Sequence, residues 1–202
     1  MIKLYGTSMS RSGRCLWALE ELGVKYEHVP TGFDGATRKP EHLKMNPNGH
    51  VPVLDDNGTI LWESMAINLY LTEKYGKDGF WPATVEARGR TNQWSFWAMT
   101  EAEPHLVAIM MKRMFAPPDQ RDEKAAANAE AALKAPFKVL DDYLQGREHL
   151  VGNQFTIADL NVASVLSLAH LVQLDTSATP TANAFLQKSL ARPANQKASK
   201  MK

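Results

Sequence analysis

The fold class this sequence predicts is an α/β domain followed by an all-helical domain, and three observations predict it. Two strand-like runs flank an apolar helical stripe within about 30 residues of the start, which makes a βαβ unit with a parallel pair. Residues 51–62 read as a β-hairpin. Beyond residue 84 the β-type runs stop, and long helical runs follow to near the end of the chain.

Taken in order, residues 2–5 form the first strand and Gly6 begins a turn. TSMSRSGR then leads into CLWALEELG. Cys15, Leu16, Ala18, Leu19 and Leu22 make the apolar stripe of a first helix, Ser12 reads as its cap, and Gly23 sits where a C′ glycine belongs. Residues 25–29 are the second strand. The segment TGFDGATRKPEHLKM is ambiguous, a loop with one or two helical turns. VPVL and TILW are short β-type runs, and Asn57-Gly58 between them favours the positive φ of a hairpin turn. Pro52 cannot donate to a strand ladder, which predicts an edge strand. Ser64 reads as the N-cap of a helix over MAINLYL that Gly76 stops. The order β-α-β-α-β-β-α over residues 1–76 is thioredoxin-like.

Residues 77–84 read as a linker and 85–202 as the all-helical domain. Residues 86–115 form one long helical run with a kink at Pro104, ended by Pro117-Pro118. Residues 121–144 form an Ala-rich helix interrupted by Pro136. Thr156 and Asp159, three apart before an apolar run, predict a capping box in which Asp replaces Glu. A last helix covers residues 181–191. Residues 176–202 carry five Lys or Arg and no acid, and read as a solvated tail.

Composition narrows the function. The 202 residues are 44% hydrophobic and 22% charged, an ordinary globular balance. A net charge of +1 gives no reason to expect nucleic acid as a partner. The single cysteine, Cys15, rules out an intrachain disulfide framework and fits a reducing compartment. No apolar run approaches the roughly 18 residues of a membrane span, and no signal pattern opens the chain, so a cytoplasmic location is expected. The six histidines lack metal-ligand spacing, and no metal is expected.

The hairpin and the helix after it carry the clearest chemical reading. A helix start at Ser64 seats a carboxylate on free N–H groups, and Glu63 beside it suits an ammonium. An α-amino acid end carries both groups. An edge at Val51 could pair with an extended peptide backbone. The ligand this pattern suits is a small peptide.

GHVPVL followed by WESMAI resembles the glutathione site of cytosolic glutathione S-transferases, in particular bacterial-type members with a serine-containing active-site loop. FTIAD is similar to the capping segment of that family's second domain, and RPANQKA to its usual ending, so the resemblance covers nearly the whole chain. It implies that Pro52 is cis and that Val51 pairs with the cysteinyl backbone of glutathione. It also implies that Glu63 and Ser64 hold the γ-glutamyl end. His50 stands where relatives often carry Gln or Lys reaching the glycyl carboxylate, and it could donate the same bond.

The first helix start is the other half of the implied site. Helix N-termini and hydroxyl donors lower a thiol's pKa, and the thiolate is the nucleophile. Ser8, Ser10 and Ser12 are the candidate donors. The family's activating residue lies shortly after the turn that ends strand one, which favours Ser10. Counting back from the helix puts Met9 in the same place. Tyr5, within a strand, reads as core, and so does Cys15. A redox subclass would carry a loop cysteine that this sequence lacks.

The function implied is attack of the glutathione thiolate on a small apolar electrophile, with glutathione as co-substrate and a homodimer as the assembly. Met110, Met111, Met114 and Phe115 are candidates for the wall of the electrophile pocket. The alternatives are a glutathione-binding stress or ligand-binding protein with little catalysis, and a glutathione-dependent isomerase or dehalogenase on the same fold.

Overall fold

A computed structural model describes every residue except Phe33, Asp78 and Lys202. Those three fall in the ambiguous segment, the expected linker and the end of the expected helical domain. The chain divides into two compact units, residues 1–81 with 191–202, and residues 82–190. Sequence reading had placed 191–202 with the helices.

The first unit holds a four-stranded sheet in the order β2-β1-β3-β4, with β1 Ile2–Gly6, β2 Tyr26–Pro30, β3 Val53–Asp56 and β4 Thr59–Trp62. β1 and β2 are parallel, while β1–β3 and β3–β4 are antiparallel. Helices α1 Ser12–Leu22, α2 Pro40–Met45 and α3 Ser64–Tyr75 complete the predicted βαβαββα order. Leu4, Leu54, Leu16, Leu19, Ile67 and Leu71 are fully buried, and β1 and α3 both pack against α1. The hairpin turn is the two-residue one expected, with φ of 54° at Asn57 and 93° at Gly58.

Three strand expectations are corrected. The strand after Pro52 is internal rather than an edge, and it begins at Val53 rather than at Val51. A proline ahead of the first ladder residue withholds no bond from the ladder, so its usual demotion does not apply. Strand β2 begins one residue later than predicted.

Asp56 ties the hairpin to α3. Its carboxylate accepts from Lys74 Nζ at 2.7 Å, from Tyr70 and Tyr75 hydroxyls at 2.8 Å, and from Asn57 Nδ2 at 2.7 Å. Burial alone would raise its pKa, but these donors outweigh burial and hold it at about 2.

The segment 191–201 is packed rather than solvated, which corrects the tail reading. Helix α9, Pro193–Ala198, lies against α1. Arg192 grips Glu21 with Nε at 2.6 Å and Nη2 at 2.8 Å, Lys197 reaches Glu20 at 2.7 Å, and Ser8 Oγ donates to the Met201 carbonyl. Arg192 and Lys197 thus have their partners in α1, far away in sequence.

The second unit is helical throughout its regular structure. α4 Val85–Trp97 runs through a wide π turn, Ala98–Ala102, into α5 Glu103–Met110, and a second π turn covers Met111–Phe115. The wide turn before Pro104 is where a residue without an N–H is accommodated. α6 Glu123–Leu144 passes through Pro136 without ending, α7 is Ile157–Leu171, and α8 is Pro180–Leu190. Among the described residues, no helix is long and apolar enough to cross a membrane.

The capping box at α7 is present as predicted. Asp159, fully buried, accepts from Thr156 N–H at 2.8 Å, Thr156 Oγ1 at 3.0 Å and Leu150 N–H at 2.8 Å. Thr156 Oγ1 accepts in turn from Ala158 N–H at 3.3 Å.

Candidate functional site

The site begins with two chain segments that the sheet brings side by side. Gly6 closes β1, and a Cβ built on it would meet Ser12 Oγ at 1.8 Å and Val51 Cβ at 3.4 Å. With φ of 143° and no room for a side chain, Gly6 allows the serine loop and the Val51-Pro52 turn to share one end of the sheet. The Val51-Pro52 peptide is cis. Neither the N–H nor the C=O of Val51 has a partner among the described residues, and the residue is half-buried. Its backbone is therefore open to an extended ligand.

His42 Nε2 and Asn46 Nδ2 both hold the His50 carbonyl at 2.9 Å and so fix the approach to Val51. The exposed His50 ring makes no hydrogen bond or ion pair of its own among the described residues. Sequence reading missed both supports. Asn46 was visible in the NPNG turn, but His42 lay in the segment read as ambiguous.

At the start of α3, Ser64 is the first helical residue rather than the N-cap, and no side chain caps this helix. The first intrahelical bond is Ile67 N–H to the Glu63 carbonyl at 2.9 Å, so the N–H groups of Ser64, Met65 and Ala66 have no acceptors among the described residues. Glu63 takes φ of 71° and ψ of 111°, a conformation that costs a non-glycine residue about 1–3 kcal/mol. Its carboxylate is exposed and without a partner among the described residues. Ser64 Oγ is buried and accepts from Arg14 Nη1 at 3.3 Å. Arg14 is a further site residue that sequence reading missed; its only signal was a lone base at the edge of the α1 apolar stripe.

In the serine loop, Ser10 Oγ accepts from Ser12 N–H at 3.1 Å and lies 2.9 Å from the Thr7 carbonyl and 3.0 Å from Ser12 Oγ. Ser10 thus serves the first turn of α1, the role expected of Ser12, whose own hydroxyl is buried and points back to the Tyr5 carbonyl at 3.5 Å. Met9 is 89% exposed. Cys15 is fully buried, donates to the Ser64 carbonyl at 3.5 Å, and has its thiol pushed far up by burial against a smaller lowering from Arg14. It is packing, as expected. Among the described residues, no group of three or more His, Cys, Asp or Glu could hold a metal ion.

A thioredoxin-like unit with an open strand-end backbone and an uncapped helix start, joined to a helical unit, defines a protein class. The family models that match this chain are the glutathione S-transferase N-terminal domain, over residues 1–73, and the C-terminal domain, over residues 98–193. It is 32% identical over 201 residues to glutathione S-transferase GstB of Escherichia coli strain K12, covering 98% of this chain and 97% of that one. Its fold matches the theta class glutathione S-transferase of Xanthomonas axonopodis pv. citri, solved with glutathione bound, at a TM-score of 0.91 and 26% identity over 100% and 98% of the two chains. A glutathione S-transferase-I solved with lactoylglutathione matches at a TM-score of 0.87 and 30% identity, over 98% of each chain. The chain belongs to the glutathione S-transferase family, and it is an enzyme of that kind.

Proposed function

We propose that the chain binds glutathione across Val51 and the start of α3, and activates its thiol for attack on a small apolar electrophile. The observation that carries this reading is the start of α3, where three N–H groups lack acceptors among the described residues beside an exposed carboxylate at Glu63. The γ-glutamyl carboxylate fits the N–H groups and Ser64, its ammonium fits Glu63, and the cysteinyl backbone fits Val51. His50 serves the glycyl carboxylate.

Ser10 is the activating donor in this reading. Its hydroxyl turns from the Thr7 carbonyl to the incoming sulfur, and the thiol proton leaves to solvent. The thiolate then bonds to the electrophilic carbon, whose leaving group departs with the bonding pair. Lowering the thiol pKa by about two would favour the thiolate by roughly 2.7 kcal/mol. The helical unit supplies apolar surface for the electrophile, with Met111, Met114 and Phe115 exposed by 42–62%. A cytoplasmic homodimer is the assembly we expect, and sedimentation at micromolar concentration tests it.

The test is glutathione titration followed by thiolate absorbance, then a thiol-consumption screen across electrophile classes. Saturable binding with a thiolate band at neutral pH, and consumption with at least one class, is the expected result. Absence of binding overturns the reading. One observation favours a second reading, a glutathione binder with little catalysis: the Ser10 proton already has an acceptor within its own loop. Tight binding with no thiolate band would select it.

A further inference from the structure

The helical unit contains a concavity unrelated to the proposed glutathione site. Arg90 of α4, Tyr143 of α6 and the loop at residues 147–152 line a pocket of about 380 Å³, within the size range of small-molecule sites. Its lining carries two guanidiniums, a histidine and no carboxylate. Arg147 donates to the Tyr143 carbonyl at 2.8 Å and lies over the Tyr143 ring at 4.8 Å, which fixes its guanidinium. Among the described residues neither Arg90 nor Arg147 has an ion-pair partner, and His149 makes no hydrogen bond. Two acids nearby are engaged elsewhere. Glu148 turns to Lys188 at 3.0 Å, and the buried Asp159, 3.8 Å from His149 Nδ1, is taken up by the α7 cap.

We propose that this pocket binds a phosphate group carried by a small polar molecule. Guanidinium forks pair bidentately with phosphate oxygens, and two of them balance a dianion better than a single carboxylate. On a chain of net charge +1, two uncompensated arginines in one concavity concentrate positive potential there. The volume exceeds what an inorganic ion fills, which favours a phosphate monoester over the free ion. The Tyr143 ring already holds Arg147 over it and Trp94 against it at 4.8 Å, so it is no free platform for a stacked base.

The experiment is calorimetric titration of the whole chain with glucose 6-phosphate and, separately, with inorganic phosphate, at an ionic strength held constant with chloride. Saturable binding of glucose 6-phosphate is expected, weakened roughly tenfold or more by Arg90→Gln and by Arg147→Gln and unchanged by Lys134→Gln, an exposed lysine outside the lining. Arg147→Lys, which keeps the charge and loses the fork, should fall between. Arg90 is exposed, so Arg90→Gln carries the test if Arg147→Gln fails to fold. Glutathione turnover should be unchanged in Arg90→Gln, which separates this inference from the proposed function. Tighter binding of inorganic phosphate would overturn the monoester. No saturable binding, or binding indifferent to both arginine substitutions, would overturn the pocket.

Discussion

Two helices of this molecule begin in opposite ways. At α7, Thr156 and Asp159 satisfy each other and the neighbouring Leu150 N–H in a fully buried box. At α3, no side chain caps the helix, its first N–H groups are open, and Glu63 ahead of it is held at φ of 71°. A helix start that satisfies itself contributes stability and has nothing left to offer a ligand. One left open, in a strained setting, gives up stability and keeps donors available.

The largest expected effect is at the closed start. Asp159→Ala leaves the buried N–H groups of Leu150 and Thr156 without acceptors, and should lower stability by about 3 kcal/mol. A fall in melting temperature of about 10 °C, with glutathione KM unchanged in the folded protein, is the expected result. A raised KM at unchanged stability would erase the contrast between the two helices.

At the open start the effect should fall on the ligand. Ser64→Ala should raise glutathione KM more than it lowers kcat, because its contact is to a part of the ligand that does not react. Ser10→Ala should do the reverse, lowering kcat roughly 10- to 100-fold and weakening the thiolate absorbance at neutral pH. If Ser8→Ala or Ser12→Ala removes that absorbance and Ser10→Ala does not, the donor is misassigned.

Asp56 sharpens the comparison through pH. Its folded pKa of about 2 lies below the roughly 3.9 of an unfolded chain, so folding favours its ionised form. Its contribution of about 2 kcal/mol is present above pH 4 and lost as the pH falls towards 2. Acid titration of the wild type against Asp56→Asn should show this part of the slope only in the wild type.

The smallest effect tests the strain itself. Glu63→Gly should leave stability unchanged or raise it by up to about 1 kcal/mol, because glycine adopts a φ of 71° freely. Glutathione KM should rise nonetheless. Clear destabilisation would mean that the Glu63 conformation is not strained.

Features set by neighbouring residues were legible in the sequence. Asn57-Gly58 declared the hairpin because both positions need positive φ, and Thr156 with Asp159 declared the cap because three residues bring their atoms together. Features set by distant partners were not. Ser64 read as a cap, but its oxygen is engaged by Arg14, 50 residues earlier. The basic tail read as solvated because Arg192 meets its acid, Glu21, 171 residues away. Pro52 misled for a different reason: moving the strand start by two residues turns a ladder breaker into a residue outside the ladder.

The return of residues 191–201 to α1 bears on how the molecule is made. On a ribosome adding about 5–20 residues per second, residues 82–190 are synthesised between the two parts of the first unit, a delay of roughly 5–20 s. Through that interval the α1 surface that Arg192 and Lys197 later cover stands open, with Glu20 and Glu21 unpaired by them. The helical unit is contiguous and can close first. The unit translated earliest is completed last.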